Sequence, residues 1–222
     1  MDLLEAIKNR HSVRKYQDKE IPQSIVNILE EDINKCNKEG NLTIKLITNE
    51  PNAFKQALFS YGKFTNVCNY FILSGIKSPN LHFNCGYYGQ RLVLLAQTLG
   101  LNTCWVALNY QKSVIKNLLN KDEKLVCVIA LGYGETNGSV RKSKRICDIS
   151  LITQETPEWY KKGLEAALLA PTAINQQKFY FELIDKQVRL KKTGGFYANI
   201  DLGIVSYHFE IAAGKENFTW IK

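Results

Sequence analysis

Residues 125–134 read LVCVIALGYG. Seven consecutive apolar residues with glycines directly behind them form a strand buried on both faces, since a strand with one wet face would alternate. Such a strand belongs at the centre of a sheet. Upstream, TIKLIT (43–48) and NYFILS (69–74) read as further strands, and 84–99 as a buried helix that Gly100 ends. Asp2 to Asn9 reads as a short helix with Asp2 as its cap and Leu3, Leu4 and Ile7 on one face. Pro22 suits a first helical position. Ile25, Ile28, Leu29, Ile33 and Cys36 follow at helical spacing, until Asn37 to Gly40 end that helix. Residues 53–64 look helical. Downstream lies a Gly-rich basic stretch, GYGETNGSVRKSKRICD (132–148). A second block starts near Pro157, with a helix to Leu169, the loop APTAINQQ (170–177), a strand Phe179–Ile184, a helix from about Ile200 to Ala213, and a short end, FTWI.

The chain has 222 residues, 45% hydrophobic and 23% charged. That suits one large domain or two small ones and excludes disorder, collagen-like repeats and coiled coil. Lys plus Arg exceed Asp plus Glu by 29 to 21, a net charge of +8. An anionic partner is implied, and a phosphate-bearing cofactor satisfies it as well as nucleic acid does. No nucleic-acid-binding motif accompanies the charge, so none is expected as a partner. The apolar runs fall far short of the ~20 residues that span a bilayer, and no membrane association is expected. MDLLEAIKNRHS lacks the apolar region of a signal peptide. The six cysteines (36, 68, 85, 104, 127, 147) form no CxxC pair and mostly sit in apolar stretches. They read as buried, reduced thiols of a cytoplasmic protein. Histidines 11, 82 and 208 match no metal-ligand spacing, so no metal is expected.

The two blocks echo each other. LEEDINKCNKEGNLTIKLI (29–47) and LEAALLAPTAINQQKFYFELI (164–184) both read helix, loop, strand. Gly89 and Gly100 are eleven apart, as are Gly203 and Gly214, each pair followed by a tryptophan, Trp105 and Trp220. This spacing suggests a partial duplication, with 1–150 as a first repeat and 151–222 as a shortened second one. Two ordinary helix–strand units would look similar by chance.

Three clusters carry chemistry. In RHSVRKY (10–16), Arg10, Ser12 and Arg14 alternate along an extended segment and so share one side. Two guanidinium forks and a hydroxyl there suit a phosphate, although a solvated strand gives the same pattern. Arg141, Lys142, Lys144 and Arg145 follow the buried strand, either as a binding loop or as a solvated one. In APTAINQQ, Pro171 stops a helix, and Thr172, Asn175 and Gln176 offer donors and acceptors beside small alanines. That suits a flat heterocycle, or merely a polar turn.

Together these segments resemble the FMN-dependent nitroreductase family. Its R-x-S-x-R-x-[FY] segment is matched by Arg10, Ser12, Arg14 and Tyr16. Its A-P-S-A-x-N-x-Q-P-W segment is matched by APTAINQQKF, with Lys178 and Phe179 in place of Pro-Trp. Its G-L-x-x-C-W is matched by GLNTCW (100–105), and its L-G-Y plus basic loop by ALGYG with RKSKR. The order differs, because the A-P-S-A-x-N place after the first motif, residues 36–42, holds CNKEGNL. In the family two subunits build each flavin site together. The resemblance is therefore to the fused, pseudo-dimeric group, in which a second block supplies the loop within one chain.

The resemblance implies an α+β fold with a central, mainly antiparallel sheet flanked by helices, in a single-chain pseudo-dimer, monomeric or loosely homo-oligomeric. It implies FMN, held by Arg10, His11, Ser12, Arg14, Lys144 and Arg145 at the phosphate and ribityl chain and by Lys63 near the pyrimidine edge. Trp105, Val106, Ala107 and Leu108 would pass the reacting edge. Pro171, Thr172, Ala173 and Asn175 would line the other side. NADH or NADPH would donate hydride, and a nitroaromatic, quinone or similar small molecule would accept electrons. The flavin carries the chemistry, so no catalytic side chain is implied. A flavin-binding protein without turnover, such as a sensor, is the alternative.

Overall fold

In the computed structural model, residues 1–55, 63–138 and 142–221 are described. Asp2 caps α1 (Leu3–Asn9) by accepting the Glu5 N–H at 2.8 Å. α1 buries Ala6 and Ile7 but leaves Leu4 46% exposed, so its inner face is rotated from the expected one. α2 (Gln23–Gly40) starts one residue after Pro22 and buries Val26, Leu29, Ile33 and Cys36. Ile28, placed on that stripe from spacing, instead points outward. The remaining elements are β1 (Lys45–Ile47), β2 (Asn69–Ile76), α3 (Leu81–Thr98), β3 (Asn102–Val106), α4 (Lys112–Lys116), β4 (Glu123–Gly132), α5 (Glu158–Leu168), β5 (Phe179–Ile184), β6 (Gln187–Lys192), α6 (Ala198–Ala213) and β7 (Thr219–Trp220). The helix expected over 53–64 is not found in its described part. Asn52–Phe54 is a single 3-10 turn and Lys55 is extended, while 56–62 lie outside the described residues.

The apolar strand is central, as its composition requires. β4 lies between β2 and β3 in an antiparallel sheet of order β1-β2-β4-β3. Cys127, Ile129 and Leu131 on one face join the main core, and Val128 and Ala130 on the other pack with Val13, Tyr16 and Phe54. A second sheet, β5-β6-β7, pairs β5 with β6 antiparallel and β6 with β7 parallel. The main core is continuous across both sheets, with Leu92 and Val93 of α3 in the same cluster as Ile204 and Val205 of α6.

α3 and α6 cross at two glycines. Gly86 is the sixth residue of α3 and Gly203 the sixth of α6. A Cβ on Gly86 would sit 2.1 Å from the Ile200 carbonyl oxygen, and one on Gly203 2.1 Å from that of Phe83. Only glycine lets two helix backbones approach this closely. The residue facing Gly203 is thus Gly86. Gly89, matched to it by sequence spacing, instead lies under the Trp105 ring. All six cysteines are free, but not all are buried, as Cys68 is half-exposed and Cys147 exposed.

Candidate functional site

The segment after α1 is threaded into the first sheet. Ser12 bridges Thr103 of β3, Lys15 bridges Thr65, and Tyr16 bridges Gly134 beyond β4. Tyr16 is buried and anchors the turn by donating its hydroxyl to the Val13 carbonyl at 2.7 Å. This threading sets His11, Ser12 and Arg14 along one wall of a cavity of about 1120 Å³. That is slightly above the ~300–1,000 Å³ usual for small-molecule sites. Trp105 to Leu108, where β3 runs out, form a second wall, and Lys63 reaches the rim. Pro171, Thr172, Ala173 and Asn175, from the far end of the sequence, close the third. The cavity is therefore assembled from both blocks.

Arg10, Lys144 and Arg145 are not among the residues lining it. Arg10 is 1% exposed: the chain leaves α1 at that residue, already in extended backbone, with the side chain turned into the interior. It lies behind Cys104, whose thiol is pushed up by burial and pulled back by the Arg14 and Arg10 charges. Arg145 caps a 3-10 turn and pairs with Asp148 at 3.2 Å. Lys144 clamps the 170–177 loop instead, since its Nζ donates to the Gln177 carbonyl at 2.6 Å and its N–H to Gln177 Oε1 at 2.8 Å. Arg141 lies outside the described residues.

The loop itself is tightly tied. Gln177 N–H donates to Thr172 Oγ1 at 3.1 Å, and Asn175 Nδ2 donates to the Lys142 carbonyl at 2.7 Å. Ile174, Asn175 and Gln177 all have left-handed backbone, at φ 45°, 56° and 44°. Three such non-glycine residues in four positions store strain, which collects at ligand-facing segments. Behind the second wall, Trp105 Nε1 donates to Gln90 Oε1 at 3.1 Å. Gln90 Nε2 meets His208 Nε2 at 2.7 Å, and His208 Nδ1 meets the Ala166 carbonyl at 3.0 Å. Donor matching makes this histidine neutral with its proton on Nδ1.

Sequence reasoning missed Lys15, Lys112, Phe196, Tyr197 and Asp201, all of which line the cavity. Arg14, Lys15, Lys63 and Lys112 make it cationic, and Asp201 is the one carboxylate among its lining residues. Asp201 is 6% exposed, and burial pushes its pKa up to about 6 against the hydrogen bonds it accepts from Gln176 and Ala173. The signal for it was an acid placed early in the otherwise apolar stretch 200–205.

A cavity lined by four cations, apolar side chains and backbone suits a phosphate-bearing planar ligand. Comparisons agree with this architecture. A crystal structure of a "putative nitroreductase" from Thermotoga maritima superposes with a TM-score of 0.67 at 24% identity, covering 97% of this chain and 85% of that one. A "putative nitroreductase" from Desulfovibrio desulfuricans, solved in complex with FMN, superposes at 0.57 and 20% identity, covering 71% and 99%. A "Putative NADH dehydrogenase/NAD(P)H nitroreductase" of Methanothermobacter thermautotrophicus is 29% identical over 157 residues, 64% of this chain and 82% of its own. The family described as "Putative TM nitroreductase" matches residues 2–213, and the chain belongs to it.

Proposed function

We propose that the chain is an FMN-dependent oxidoreductase that takes hydride from NADH or NADPH and reduces nitroaromatics, quinones or similar small acceptors. The observation that carries this is the cavity built jointly by the 11–15 segment, the end of β3 and the 171–175 loop. Its residues fit FMN. The cations Arg14 and Lys15 with the Ser12 hydroxyl suit a phosphate. Lys63 and Lys112, which also line the cavity, would supply positive charge to a reduced, anionic ring. Backbone N–H groups at Ala107 and Leu108 offer donors at a ring edge. Ile200, Ile204 and Phe196 exclude water from one side. Bound there, FMN would supply the redox chemistry, which these side chains do not.

In this reading residues 1–150 and 151–222 are two repeats, the second shortened, and together they supply what two subunits supply in an ordinary dimer. One pair of measurements tests the function. Purified protein reconstituted with FMN should show the absorbance of an oxidised flavin, and anaerobic NADH or NADPH should bleach it. Retained flavin that neither nucleotide bleaches would make the protein a flavin carrier or sensor instead. No retained flavin would end the reading.

A further inference from the structure

Asp201 stands in the first turn of α6, and its two oxygens hold different parts of one turn of chain. Oδ1 accepts the Ala173 N–H at 3.0 Å, and Oδ2 accepts a proton of Gln176 Nε2 at 2.7 Å. The same Gln176 amide donates to the Phe196 carbonyl at 2.8 Å. Its side chain lies across Gly195, where a Cβ would come within 2.4 Å of Oε1. The carboxylate therefore ties the 173–176 turn to α6, and the Gln176 amide that it orients ties the turn to the 195–197 segment. Both carry a large apolar side chain exposed at the cavity, Ile174 at 65% and Phe196 at 51%. Between the two attachment points lie the left-handed residues Ile174 and Asn175, whose backbone needs external support.

We propose that Asp201 is a positioning residue whose ionised carboxylate clasps these two segments together and thereby holds both apolar sides of the cavity in their ligand-binding arrangement. An ionised carboxylate only accepts hydrogen bonds, and both partners here are donors. Protonation turns one oxygen into a donor facing the Gln176 amide. Gln176 must then reverse that amide, which takes Nε2 away from the Phe196 carbonyl. Asparagine at 201 imposes the same reversal permanently. The titratable groups that line the cavity with Asp201 are Tyr197 on its own helix cap, His11, Cys104, Cys127 and the four cations; the 170–177 loop contributes none, and burial outweighs any neighbouring charge at Asp201. Burial brings the carboxyl to about 6, so the clasp opens within an accessible pH range.

The inference uses the FMN reading only for its ligand readout. The test measures the FMN dissociation constant from pH 5 to 8 for wild type, Asp201→Asn and Gln176→Leu, with hydrogen exchange of the 170–178 peptide in the flavin-free proteins. Wild type should lose about tenfold in affinity as pH falls through about 6, the worth of one charge-assisted contact. Asp201→Asn should be weakened about tenfold already at pH 8 and show a flat profile. Gln176→Leu, at a half-buried loop position that leaves the core intact, should bind as weakly. Exchange at Ala173, corrected for intrinsic rate, should rise with acid in wild type and be pH-independent in Asp201→Asn. Parallel pH profiles in wild type and Asp201→Asn, as titration of the FMN phosphate alone would give, overturn the proposal. So does unchanged Ala173 exchange. Absence of FMN binding in every protein, with the exchange difference present, sinks the FMN reading and leaves the clasp standing.

Discussion

Two helix-to-strand connections, α2 to β1 and α5 to β5, end differently. The first is sealed. α2 stops at Gly40, Asn41 takes the left-handed turn at φ 49°, and the Asn37 side chain bonds both the N–H and the carbonyl of Ile44, at 2.6 and 3.0 Å. Asn84 Nδ2 of α3 donates to the Gly40 carbonyl at 2.9 Å, and the Tyr88 ring fills the space where a Gly40 side chain would stand. Leu42 and Ile44 are buried. The second connection is longer, strained, and directed at a cavity, with Ile174 left exposed. Asp201 of α6 holds it much as Asn84 of α3 holds the first, one position of charge apart in chemistry. The same helix–loop–strand plan thus either closes or stands open, depending on whether its apolar residues turn into the core, as Leu42 and Ile44 do, or stay exposed at the cavity, as Ile174 does.

Both connections hang on the α3–α6 crossing, so the largest effect is expected there. Gly86→Ala and Gly203→Ala each force a Cβ to 2.1 Å from a backbone carbonyl and should cost about 3 kcal/mol or more, read as loss of a cooperative melt or a large drop in Tm. A cost below about 1 kcal/mol in either would show that the crossing is not tight. Next come the two arginines that the sequence treats alike. Arg10→Ala, removing a fully buried side chain, should lower stability by about 2–4 kcal/mol. Arg14→Ala should leave the melt within about 0.5 kcal/mol but weaken FMN roughly tenfold or more, sparing riboflavin. An equal loss for FMN and riboflavin would remove Arg14 from the phosphate.

The open connection also carries a pH signature that the sealed one lacks. The Asp201 carboxyl, at about 6 in the folded chain against about 3.9 unfolded, is raised. Its contribution to stability is therefore full below the unfolded value and lost as pH rises through about 6. Asp201→Asn removes that loss and should be more stable than wild type at pH 8 by on the order of 2 kcal/mol, with little difference at pH 4. Equal melts at pH 8 would mean that the buried charge is not costly. Asn84→Ala should give the smallest effect, about 1 kcal/mol of stability with FMN affinity unchanged. An altered affinity would mean that the sealed side reaches the cavity.

What the sequence disclosed follows the same division. β4, α3 and α6 were legible because long apolar runs leave few alternatives, and the Asp2 cap because a side chain three residues from its N–H partner is a local fact. β6 was missed because QVRLKK buries chiefly Val188, and β3 because NTCWV is short and is fixed by β4 rather than by its own pattern. Most of the cavity was legible through the resemblance. Arg10 was not, because alternation does not show that the residue closing α1 is buried in the interior. Arg145 was not, because charge spacing does not show that Asp148 captures it. Asp201 was missed because its role exists only once α6 and the 173–176 turn are brought together.

The central claim is that only the open connection makes a site. The α2–β1 connection beside Gly40 has no such loop, and residues 151–163 contain no arginine to clamp a phosphate. Flavin released by denaturation, divided by protein concentration after reconstitution with excess FMN and gel filtration, measures this directly. The account predicts a ratio close to one per chain whatever the oligomeric state. A reproducible ratio near two would contradict it, since the sealed side would then bind as well.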